Sequence, residues 1–201
     1  MACFTLEIYL SQTFGFYDVY VMFLLRMLMR RGRARSMDPL QVSMTGVRMG
    51  ERVLQIGCYD RALLSGLAAK VGLSGTAAVG AFNQDQITRA EKVGAEIGAL
   101  IDIKKIDDHA LPFDSDHFDM VVVDDTNGAF GAVAEGTRLA YLREGLRTVR
   151  QGGRIEIVEG MKTRAASYDP LLDLAAAGFK PVRVLAERDG FRFIEGLRTH
   201  S

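Results

Sequence analysis

Cysteine is scarce in this chain: Cys3 and Cys58 are its two examples in 201 residues, and they stand far apart. That excludes a disulfide framework and fits a reducing, cytoplasmic setting. Histidine is as thin. His109, His117 and His200 fall at no spacing a metal site uses, so no metal site is expected. Net charge is missing too. The 25 basic and 25 acidic residues cancel, which leaves no global field to attract nucleic acid. Long apolar runs are absent: residues 14–29 are mostly apolar, but Asp18 and Arg26 interrupt them. A spanning helix needs about 20 consecutive apolar residues, so a transmembrane segment is not expected. Nor does the N-terminus show the basic start and small-residue cleavage site of a secretory leader.

What is present begins with an apolar helix over residues 16–31, which ends in "RRGRAR" with Gly32 as its stop. A helix apolar on most sides calls for burial, and three settings supply it. It packs on the main domain, pairs with a second copy in a homodimer, or lies in a membrane surface with its basic flank outward. Residues 1–40 are therefore set apart from a main domain over 41–201.

From Arg52 on, strands and helices alternate. "RVLQIG" (52–57) reads as a strand, and 61–71 as a helix carrying Leu63, Leu64, Leu67, Ala68 and Val71 at helical spacing. Strands follow at 76–82, 100–106, 118–125 and 154–160, with helices at 85–99 and 132–150 between them. "FDMVVVDD" (118–125) is apolar enough to be buried on both faces. A helix over 169–178 has Pro170 in its first turn and Gly178 as its stop. Residues 180–187 and 191–198 form a hairpin turned by Asp189-Gly190. This pattern gives an α/β fold: a doubly wound, mostly parallel sheet with helices on both faces.

Ligands of such sheets bind beyond the C-terminal strand ends. Gly57 allows a sharp turn and a close approach to the backbone. The helix start at Asp60 to Leu63 offers N–H groups to a carboxylate or phosphate, or it is a tight turn with no ligand. Phe82 ends the second strand, where it packs on an apolar ligand surface or on the core. Asp85 stands at the next helix start as a candidate cap. Asp107 and Asp108 follow the third strand and either meet a ligand or remain solvated. Asp124 and Asp125 end the fourth, where they bind a substrate cation, act as a base, or cap a loop. His117 is expected in solvent and Cys58 as a small buried residue.

The order of these motifs resembles the class I S-adenosylmethionine-dependent methyltransferases, in the compact group that acts on small molecules. "GERVLQIGC", "AFNQDQITRAEKVGA", "IDDHALPFDSDHFDMVVVDD", "LREGLRTVRQGGRIEIVE" and "LLDLAAAGFKPVRVL" carry the resemblance, which runs from about residue 16 to residue 198. It implies a Rossmann-like seven-stranded sheet with an antiparallel last strand and S-adenosylmethionine across the ends of strands one to four. It implies that Gln55, Gly57, Cys58 and Tyr59 face the methionine part, Phe82 and Asn83 the ribose and adenine, Asp107 and Asp108 the adenine, and Asp124 to Asn127 the floor toward the acceptor. The chain departs from the family pattern at four positions. Gln55 and Phe82 replace acids, and Tyr59 and Arg61 replace glycines. A lost charged hydrogen bond costs about 1.5–3 kcal/mol. Two therefore weaken binding by roughly two to four powers of ten. The resemblance thus implies either methyl transfer to a small, apolar acceptor, or an inactive binding or partner subunit that no longer holds the cofactor.

Overall fold

In the computed structural model, which describes residues 39–107 and 109–199, strand and helix alternate as the sequence predicts. The strands are β1 (Arg52–Ile56), β2 (Thr76–Ala81), β3 (Ile101–Lys105), β4 (Phe118–Asp125), β5 (Val149–Gly160), β6 (Val182–Arg188) and β7 (Phe191–Leu197). The helices are α1 (Pro39–Met44), α2 (Arg61–Val71), α3 (Gln84–Ile97), α4 (Glu135–Thr148) and α5 (Pro170–Ala177). The helix expected over 16–31 lies outside the described residues, and so does Asp108. None of the described helices is long and apolar enough to cross a membrane.

All seven strands join one sheet in the order β3-β2-β1-β4-β5-β7-β6. β7 runs antiparallel to both of its neighbours, and the remaining pairs are parallel. The chain starts in mid-sheet at β1, winds out to β3, and returns to β4 on the other side of β1. The order therefore reverses between β1 and β4, which opens a crevice at their C-terminal ends.

β4 shows why its sequence is apolar throughout. Side chains alternate across a sheet. Met120 and Val122 pack under α1 and α2 with Val42, Leu63 and Leu67. Val121 and Val123 pack on the opposite face with Tyr141, Leu142 and Leu174 of α4 and α5. The α1–α2 crossing depends on Gly66, where a Cβ would lie 2.3 Å from a Val42 methyl.

Three local expectations change. A helix, α1, occupies Pro39–Met44, where no periodic pattern marks one. α4 ends at Thr148, and β5 starts at once at Val149, which pairs with Phe118. Residues 151–153, between the expected helix and strand, therefore form a bulge inside β5. Gly153 fits there because a Cβ would come 2.8 Å from the Asp119 carbonyl. The cap of α3 is Asn83, whose side chain accepts from the Gln86 N–H, while Asp85 sits exposed in the first turn. The other signals hold. Asp169 caps α5 with Pro170 behind it, Gly178 ends it at φ 112°, and Asp189 and Gly190 turn the hairpin at φ 52° and 88°.

One acid sits against the pattern. Glu156, in the middle of β5, is fully buried with neither carboxylate oxygen hydrogen-bonded. It lies directly across from Glu195 on β7. Burial pushes its carboxyl well above the usual 4.5; nearby Arg154 offsets part of this, and Glu195 adds to it. Folding therefore favours the neutral acid. The penalty is absent below the unfolded value near 4.5 and grows as pH rises through the folded value. Glu156→Gln removes it. Thermal unfolding of this variant should show a higher Tm than the parent at pH 8, by about 2–4 °C per kcal/mol regained, and a clearly smaller gain at pH 5. An equal gain at both pH values contradicts this.

Candidate functional site

The turn after β1 is built from Gly57, Cys58, Tyr59 and Asp60, and every backbone N–H in it has a partner. Gly57 turns at φ 80° and its N–H donates to the Gly80 carbonyl of β2 at 2.8 Å. The Cys58 N–H donates to Gln86 Oε1 at 3.3 Å. Those of Tyr59 and Asp60 both donate to Asp124 Oδ2, at 2.7 and 2.8 Å. The carbonyls are held as well: Gln55 Nε2 donates to that of Gly57 at 2.9 Å, and Arg89 Nη1 to those of Cys58 and Tyr59. One more step along, the Asp60 carboxylate caps α2 by accepting from Ala62 N at 2.7 Å.

Two chain carboxylates thus take N–H groups at the start of α2: Asp124 that of Asp60, and Asp60 that of Ala62. Asp124 is the more constrained of the two. It is fully buried, and its other oxygen accepts from the N–H and hydroxyl of Thr126, at 3.2 and 2.7 Å. Burial pushes its carboxyl up, and the donors from Asp60, Thr126 and Tyr59 pull it back. Of the alternatives open to Asp124 in the sequence, loop capping is the one realised.

Above this turn lies an aromatic wall. A Cβ on Gly57 would stand 3.1 Å from the Tyr59 ring and 3.3 Å from the Phe82 ring. Phe82 meets Tyr141 edge-on at 5.2 Å, and Tyr141 also meets the Phe130 ring at 6.4 Å. His109 Nδ1 lies 3.1 Å from the Tyr141 hydroxyl. Phe82 is thus half-buried on the core, and no carboxylate stands in its place.

The remaining sequence candidates are scattered in exposure. Gln55 is buried, its Nε2 3.5 Å from Asp124 Oδ2 and its Oε1 unpartnered. Cys58 is buried with its thiol pushed up to about 12, so it is inert. Arg61 is exposed and paired with Glu96 at 2.5 Å. Asn83 is exposed as the α3 cap, and Asp107 is exposed beside Lys105 at 3.5 Å. His117 is exposed, as expected. Asp125 is fully buried on the opposite face of β4 from Asp124, with Oδ1 accepting from Phe130 N and Gly131 N.

Two organising residues escaped the sequence reading. Gln86 joins the β1 and β2 ends by accepting from both Cys58 N and Phe82 N. Its position three residues after the Asn83 cap is a capping-box signal that could have revealed it. Arg89, one turn further, carried no such mark.

A family model described as the ubiE/COQ5 methyltransferase family matches residues 16–197. A protein of Nitrosospira multiformis named ubiquinone/menaquinone biosynthesis C-methyltransferase is 29% identical over 177 residues, covering 86% of this chain and 70% of its own. Its Pseudomonas fluorescens namesake is 25% identical over 179 residues, covering 86% and 68%. A solved SAM-dependent methyltransferase from Aquifex aeolicus superposes with TM-score 0.68 at 19% identity, over 83% of this chain and 93% of its own. None of these matches lends support to an inactive subunit.

Asp124→Ala leaves the amides of Tyr59, Asp60 and Thr126 without their acceptor. At about 1–3 kcal/mol for each unsatisfied group, the loss should reach at least about 3 kcal/mol in a urea titration. A loss under about 1 kcal/mol contradicts the role assigned to Asp124.

Proposed function

The chain belongs to the ubiE/COQ5 methyltransferase family, and from this premise we propose that it transfers a methyl group from S-adenosylmethionine to a small organic acceptor. The observation that carries the reading is the β1–α2 turn. It stands at the point where the strand order reverses, hydrogen-bonded within the chain, with the Tyr59 and Phe82 rings over Gly57.

The residues present suit most of this cofactor. Its methionine end carries a sulfonium and an ammonium. Around the turn the chain sets a buried carboxylate, Asp124, and the rings of Tyr59 and Phe82, groups that favour cations. Gly57 has no side chain, which lets the Tyr59 and Phe82 rings close over the turn. The ribose is the exception. Phe82 offers its hydroxyls a ring edge and no acceptor, so contact there is apolar.

Bound at this turn, the cofactor supplies an electrophilic methyl group. The chain's part is positioning and the exclusion of water. Asp124 fixes the turn. Gln86 ties it to the β2 end, and so holds Phe82 against Gly57. In this reading Asp107, exposed just past the end of β3, is the acid assigned to the adenine edge.

Calorimetric titration with S-adenosylmethionine tests the reading. Binding with a Kd below about 100 μM is expected, and no binding at millimolar ligand contradicts it. Phe82→Asp returns two acceptors to the ribose position and should tighten binding about tenfold or more. An unchanged or weaker Kd in a folded variant contradicts the account of Phe82.

A further inference from the structure

The residue that ends β2 is held from several sides. The Phe82 N–H donates to Gln86 Oε1 at 3.0 Å. The Phe82 ring meets Tyr141 edge-on, with 5.2 Å between centroids and 70° between planes. A Cβ on Gly57 would lie 3.3 Å from the same ring, so Phe82 also rests against the backbone of the β1–α2 turn. Tyr141 is itself fixed. It is 8% exposed, and its hydroxyl lies 3.1 Å from His109 Nδ1. Phe82 is therefore clamped in place, and no polar group of the chain can take its position by a simple swing of the ring.

The acceptors beside it in the chain are engaged as well. The Gly80 carbonyl accepts from Gly57 N and the Ala81 carbonyl from Ile106 N, both at 2.8 Å. Asn83 Oδ1 caps α3 by accepting from Gln86 N at 3.0 Å. Gln86 Oε1 accepts from both Cys58 N and Phe82 N. The nearest acid in sequence, Asp85, stands exposed in the first turn of α3.

In a doubly wound sheet a nucleoside ligand brings its ribose to this strand end, where an acid accepts from the sugar hydroxyls. A site built that way rejects a ligand without the hydroxyls by powers of ten, because its own acceptor is left unpaired. An apolar side chain has no acceptor to leave unpaired, so losing the hydroxyls costs it nothing. Phe82 is half-buried and apolar, which puts this chain in the second class.

We propose that Phe82 is a specificity-determining residue that makes the site blind to the ribose hydroxyls, so that the chain takes S-adenosyl ligands lacking them as readily as those that carry them. The proposal rests on the methyltransferase reading and narrows the class of cofactor that reading allows. Gln86 and Tyr141 are positioning residues, which hold the ring where the acid would stand. The consequence differs from weak binding alone. A site that kept its acceptor would bind less tightly and still discriminate, whereas this one loses the discrimination itself.

Calorimetric titrations test this by comparing S-adenosylhomocysteine with its 2′,3′-dideoxy counterpart, which differs only in the hydroxyls. The parent chain should bind the dideoxy ligand as tightly as the other to within about threefold, or more tightly. Phe82→Asp should shift the ratio toward S-adenosylhomocysteine by about tenfold. Phe82→Leu keeps the position apolar and should retain the parent ratio, so the parent and this variant decide the matter if Phe82→Asp does not fold. A parent preference for the hydroxyls beyond about threefold overturns the proposal and leaves the methyltransferase reading standing; its loss in Asp85→Ala would then name Asp85 as the acceptor. A shift under about threefold in folded Phe82→Asp overturns the role given to Phe82. No binding of either ligand at millimolar concentration overturns the proposal and the methyltransferase reading together.

Discussion

The buried Asp124 carboxylate is the constraint on which the functional end of this protein depends. It joins the end of β4 to the turn after β1 by accepting from Tyr59 and Asp60, and it closes its own loop through Thr126. A carboxylate taken out of water is costly unless its lone pairs are filled. Five donors surround them here, Gln55 Nε2 at 3.5 Å being the longest. The turn is thus held from within, and its shape does not wait for a ligand.

Adjacent residues at the end of β4 then serve opposite faces of the sheet. Asp124 faces α2 and the turn, and Asp125 faces α4, α5 and a polar row with Glu159 and Arg192. A two-residue period gives this division without any further device. One dipeptide therefore serves both faces of the sheet at this strand end. On the α4 and α5 side runs the aromatic wall of Phe82, Tyr141, Phe130 and Tyr168.

Much of the fold was legible because its signals are local. The all-apolar β4, the Asp169-Pro170 start and Gly178 stop of α5, and the Asp189-Gly190 hairpin each depend on neighbours in sequence. What escaped depends on distant partners. β5 begins at Val149 because Phe118, far back in the chain, offers it a strand edge. α1 is too short for periodicity to mark, and it is placed by the fit of Val42 into Gly66 of α2. At the site, the sequence identified Gly57, Phe82 and the two β4 acids as residues of interest. It could not divide the roles of those acids, since that requires knowing which face each one points to. Nor could it foresee that Asp60 and Asp124 would take the N–H groups of Ala62, Asp60 and Tyr59.

Amide hydrogen exchange at Tyr59 and Asp60 in the ligand-free protein tests the central claim most directly. If the Asp124 carboxylate builds the turn, both amides exchange as slowly as the core of β4, and both become fast in Asp124→Ala while the β4 amides stay protected. Fast exchange at Tyr59 and Asp60 in the parent protein, slowed only when S-adenosylmethionine is added, would mean that the ligand forms the turn and would contradict the account.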